Sequence, residues 1–76
     1  MEDLFSTNIG INDKNINYRV IFDDDKYVFL SEAEQNEFST FSFKRENDQW
    51  MDQELLPPGI KKQAIDALEK YLLTQH

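Results

Sequence analysis

The chain has no cysteine, only two glycines and two prolines, and no long apolar run among its 76 residues. Without cysteine there is no disulfide framework, no thiol nucleophile, no iron-sulfur cluster and no cysteine zinc site. A reducing cytoplasm is the expected setting. Gly10 and Gly59 are too few for a glycine loop that cradles phosphate. The longest apolar stretch, Tyr27 to Leu30, falls far short of the roughly 20 residues needed to cross a bilayer. The segment Met1-Glu2-Asp3-Leu4-Phe5 carries acids where a signal peptide carries bases, so neither membrane insertion nor export is expected. Basic residues are also scarce, 8 against 15 acids for a net charge of -7, and Lys44-Arg45 and Lys61-Lys62 are the only basic pairs. That balance opposes binding to nucleic acid, which needs clustered Lys and Arg to displace counterions.

Aromatics are plentiful by contrast: six Phe, three Tyr and one Trp. Each buries roughly 150 to 250 Å², so they can build a core in a chain too short for more than one domain. A single domain over residues 1–76 is expected, with residues 1–4 open to hanging as a loose arm.

Phe5, Thr7, Ile9 and Ile11 share one parity, the period of a half-buried strand, although the pattern leaves a paired strand and a loose segment both open. Asn12 to Asn15 reads as a turn. Ile16, Tyr18, Val20 and Phe22 then alternate with Asn17, Arg19, Ile21 and Asp23. A two-residue loop at Asp24-Asp25 sets Asp23 opposite Lys26, Phe22 opposite Tyr27, Ile21 opposite Val28 and Val20 opposite Phe29. Every pair matches in character, which selects this register even though the loop lacks glycine. Ser31 to Glu37 reads as a loop or a single helical turn with a capping-box spacing at Ser31 and Glu34. A fourth strand is expected from Phe38 to Arg45, a turn at Glu46-Asn47-Asp48, and a short fifth strand from Gln49 to Asp52.

Pro57-Pro58-Gly59 opens a helix. From Ile60 on, Ile60, Ala64, Leu68, Ala67, Tyr71 and Leu72 form an apolar arc, with Lys62, Asp66 and Lys70 opposite and spaced for i,i+4 pairs. Leu55 is placed to staple against Ile60, and Leu73 falls on the polar side. The expected fold class is α+β: an antiparallel meander of four to five strands with one C-terminal helix on one face, in two layers.

No catalytic constellation emerges. Asp23-Asp24-Asp25 lacks the alternation, glycine and distal glutamate of a calcium loop and reads as a solvated turn. His76 is a lone terminal histidine, no serine sits in a nucleophile elbow, and nothing singles out one carboxylate pair. No cofactor and no metal are expected.

The sharper feature is that the sheet is apolar on both faces. Tyr18, Val20, Phe22, Tyr27 and Phe29 share one, while Ile21, Val28 and Leu30 share the other, and one helix covers only one. Either Leu4 and Phe5 or the Trp50 to Leu56 stretch folds under the second face, or a partner does. Trp50 reads as the cap of a core edge or as an exposed recognition aromatic. The candidate interaction surface is therefore Ile21, Val28, Leu30, Trp50 and Leu73, and a homodimer or a protein partner is the expected company. Charge is uneven as well: residues 1–54 hold 13 acids and 5 bases, whereas residues 55–76 hold 2 acids and 3 bases.

Arg45 to Trp50 and Gln63 to Leu73 resemble segments of small bacterial single-domain proteins of unassigned function, over Ile16 to Gln75. The resemblance implies no activity and no site residue. A non-enzymatic interaction module is the leading expectation. The alternatives are a small enzyme or subunit with a site between protomers, using carboxylates with Tyr18, Tyr27 or Arg19, and an acidic inhibitor that mimics nucleic acid.

Overall fold

The computed structural model describes residues 2–31 and 40–75. Five strands, β1 (Glu2–Ile11), β2 (Lys14–Asp23), β3 (Lys26–Ser31), β4 (Thr40–Glu46) and β5 (Gln49–Asp52), precede one helix, α1 (Pro58–Thr74). The strands form a single antiparallel sheet in the order β1-β2-β3-β4-β5. This is the expected α+β meander with a C-terminal helix on one face. The capping-box reading at Ser31 and Glu34, the start of the fourth strand at Phe38 and the reading of His76 fall on or depend on residues outside those described.

The β2–β3 register is the one the sequence selects, with Asp23 opposite Lys26, Phe22 opposite Tyr27, Ile21 opposite Val28 and Val20 opposite Phe29. Three hairpins turn on the same device. Asn12-Asp13, Asp24-Asp25 and Asn47-Asp48 each hold both central residues at positive φ, between 52° and 63°. That is the backbone of a type I′ turn, whose twist matches the flanking strands. Glycine is the usual occupant of such positions, but Asn and Asp tolerate the left-handed region, so these turns close without it. The first turn is tighter than expected, since β2 already begins at Lys14 rather than at Ile16.

Residues 2–4 are not a loose arm: Glu2 pairs with Phe22 and Asp3 with Ile21. The register then shifts between Asp3 and Phe5, leaving Leu4 as the extra residue of a bulge. A bulge re-aims side chains, and here both Leu4 and Phe5 pack on the helix-side core.

That core lies between α1 and one sheet face. Ile9, Tyr18, Val20, Phe29, Phe43 and Leu68 are fully buried in it, joined by Phe41, Ile60 and Ala64. Phe29 stacks on Phe41 at 4.9 Å between ring centroids and meets Phe43 edge-on, so the aromatics fill the layer as a connected set. The buried leucine at the helix entrance is one residue later than expected. Leu56, next to the N-cap Pro57, is buried with Ile60, whereas Leu55 is 98% exposed. With Pro57 as the N-cap, Leu56 is the residue before the cap and the N4 residue is Lys61, so no apolar staple forms and Leu56 is buried in the core instead. Neither i,i+4 ion pair of the helix, Lys62 with Asp66 or Asp66 with Lys70, closes among the described residues. Lys61 instead reaches across to Asp52 of β5 at 3.2 Å.

The helix runs antiparallel to β1. Near its start the Gln63 side chain holds Gly10: the Gly10 N-H donates to Oε1 at 2.8 Å and Nε2 donates to the Gly10 carbonyl at 3.0 Å. Near its end Tyr71 stacks on Phe5 at 4.8 Å. On its other flank Glu69 meets Trp50 of β5. The two edge strands thus clasp the helix from either side.

Candidate functional site

The sheet sorts the five candidate residues onto different surfaces. Ile21, Val28 and Leu30 lie on the face away from α1. Leu4, Phe5, Trp50 and Leu56 all pack on the helix side, so none of these apolar side chains covers that second face; of the Trp50 to Leu56 stretch, Glu54 reaches it at Ser42, the neighbour of Val28. Even so, Ile21 is only 3% exposed, while Val28 and Leu30 are half-buried. Arg19, two residues before Ile21, pairs with Asp3 at 3.0 Å, and Asp3 lies directly across from Ile21. The Arg19–Asp3 pair therefore lies along that flank of Ile21. Met51 is the exposed large apolar residue of this face among those described.

Trp50 and Leu73 come together elsewhere. Because the β4–β5 turn has two residues, Trp50 stands opposite Arg45 on the side of Phe43, facing the C-terminal half of α1. Its indole packs edge-on against Tyr27 at 5.4 Å, its Nε1-H donates to Glu69 Oε1 at 3.3 Å, and the Arg45 guanidinium lies 4.7 Å from the ring centroid. Arg45 is also 3.9 Å from Asp48. Trp50 thus caps the edge of the core, one of its two expected roles, and braces Tyr27, Arg45 and Glu69, which with Leu72 and Leu73 line an open depression of about 400 Å³. Leu73 stands at its lip, 74% exposed.

Tyr27 and Leu72 also line a second depression of about 280 Å³, which continues past Phe22, Leu4 and Tyr71 to Glu2 and Gln75. The two make one groove along the end of the molecule where α1 finishes, with an aromatic and leucine floor. Tyr27, Trp50, Arg45 and Leu73 were each legible as residues; their convergence was not, because it depends on how α1 crosses the sheet.

Tyr18, Arg19 and Tyr27 do not converge. Tyr18 is fully buried, Arg19 lies on the far face, and Tyr27 floors the groove. Glu54 is a further polar anchor that the sequence did not single out: its carboxylate accepts from the Ser42 N-H at 2.9 Å and fastens the loop after β5 to β4. Among the described residues no group of His, Asp and Glu could hold a metal ion, and no helix is long and apolar enough to cross a membrane. Comparison of the chain with protein-family models, curated proteins and solved structures finds no match.

Proposed function

We propose that this chain is a non-enzymatic protein-interaction module whose binding surface is the groove beside Trp50 at the C-terminal end of α1. The observation that carries this reading is the company Leu73 keeps. A largely exposed leucine stands over a groove lined by Tyr27 and Arg45, both of which Trp50 braces. Trp, Tyr and Arg are the residue types that dominate binding energy at interfaces, because they offer large, preorganised area with a polar handle. The Tyr27 ring contact, the Glu69 hydrogen bond and the Arg45 stack hold Trp50 in place before anything binds, which lowers the ordering cost of association. An isolated exposed leucine would need no explanation; one beside a fixed aromatic wall supports a docking role.

A photo-crosslinking amino acid at position 73, with position 62 on the exposed helix face as control, tests this in the source cell. The reading predicts a discrete protein adduct from position 73 and none from position 62. Adducts from a crosslinker at Met51, on the opposite face, with none from 73 would contradict it.

A further inference from the structure

The occupant of the groove has a chemistry that the surrounding charges define; this inference rests on the groove being the binding surface. In an antiparallel meander the β2–β3 turn, the β4–β5 turn and the start of β1 lie at one end of the sheet. The Phe5–Tyr71 stack and the shared lining of Glu2 and Gln75 bring the end of α1 to that same end. Exposed Glu2 and Glu69 line the groove, and the exposed turn residues Asp24 and Asp25 stand at the same end of the sheet. The helix adds to their sign. Its C-terminus carries the negative end of the macrodipole, and no basic side chain occupies its last turn to offset it.

The cations nearby do not cancel this. Arg45 is committed to the Trp50 ring and to Asp48. Lys26 stands across from Asp23 on the opposite face. Lys70 lines the other flank of α1, beside Phe5 and Thr7. An apolar floor rimmed by acids disfavours nucleic acid and acidic peptides through like-charge repulsion. It also disfavours a second copy of this chain, which carries the same net charge of -7 and would set the same acids against these.

We infer that the groove takes a short segment of another protein in which a large apolar side chain is flanked by lysine or arginine. The apolar residue would rest on Tyr27 and Leu72 beside Leu73, and the flanking cations would face Glu2, Glu69 and the turn aspartates. Such an arrangement combines a buried anchor with a charged rim that steers encounter and weakens with salt.

Selection from a random-peptide display library against the full chain tests the inference, followed by affinity measurement on two variants. Leu73→Asn removes apolar area from an exposed position. Asp24→Asn with Asp25→Gly removes two charges at the same end of the sheet and places in the turn the pair that type I′ geometry most favours. The expected result is a basic-apolar consensus whose affinity falls about tenfold or more with Leu73→Asn, taking roughly 1.4 kcal/mol for the lost apolar contact. It should fall roughly threefold to tenfold with the turn variant, the scale of two exposed charge pairs, and decline with added salt. Peptides that depend on Leu73 but are acidic or uncharged, or whose binding ignores salt, would overturn the inference and leave the module reading standing. Enriched peptides indifferent to Leu73→Asn, or no enrichment, would overturn the module reading itself. Concentration-dependent dimerisation abolished by Leu73→Asn would replace the peptide with a second copy.

Discussion

Among the described residues six, Asn12, Asp13, Asp24, Asp25, Asn47 and Asp48, sit in the left-handed region of backbone space, and all six are Asn or Asp. Their short polar side chains make that region accessible where most others are strained, but glycine reaches it without any Cβ contact. Replacing Asp13, Asp25 or Asp48 by glycine should therefore raise stability by about 0.5 kcal/mol each, the relief of the left-handed strain exceeding the entropy that glycine adds to the unfolded chain. Urea midpoints of the three single variants measure this, and a fall at all three would refute the turn geometry. A second comparison separates the two helix leucines. Leu68 is fully buried and Leu73 is 74% exposed. Leu68→Ala should cost about 2–5 kcal/mol and Leu73→Ala within about 0.5 kcal/mol, read from the same denaturation curves. In a domain this short the first loss approaches the whole stability, so Leu68→Ala is expected to be largely unfolded at ambient temperature.

Among the elements, β1 is the long exposed edge, and unpaired edges invite association. The chain answers with the Leu4 bulge at one end and the Gln63 carboxamide at the other, which bonds the Gly10 peptide as a neighbouring strand would. Gln63→Ala should speed hydrogen exchange at the Gly10 amide and cost about 1–2 kcal/mol for two solvent-accessible hydrogen bonds. An unchanged Gly10 exchange rate would contradict the contact. The elements differ in how far the sequence reveals them. The β2–β3 register was legible because every cross-strand pair matches in character across Asp24-Asp25. The same two-residue rule at Asn47-Asp48 would have placed Trp50 opposite Arg45 and on the side of Phe43, so the signal for its true face was present. The bulge was hidden because Leu4 and Phe5 are both apolar and leave no break in parity where the register slips. Leu55 and Leu56 are equally apolar, and only the position of the N-cap decides which is buried.

At the scale of the whole molecule, a helix of 17 residues is about 26 Å long and nearly matches the 33 Å long axis, so it reaches both ends of the sheet. Its far end creates the groove, and that could not be read from periodicity, which gives the buried arc of a helix but not its position over the strands. The apolar second face was legible, yet its reading changes: Ile21 is almost wholly buried, and the exposed apolar residue beside an aromatic wall is Leu73 on the other side. The two surfaces make opposite demands on a bound partner. A chemical-shift map of the full chain, titrated with a peptide from the display selection, distinguishes them most directly. The account predicts shifts at the Trp50 indole, Tyr27, Leu72 and Leu73 with the far face quiet. Shifts centred on Ile21, Val28 and Leu30, with the indole unmoved, would contradict it.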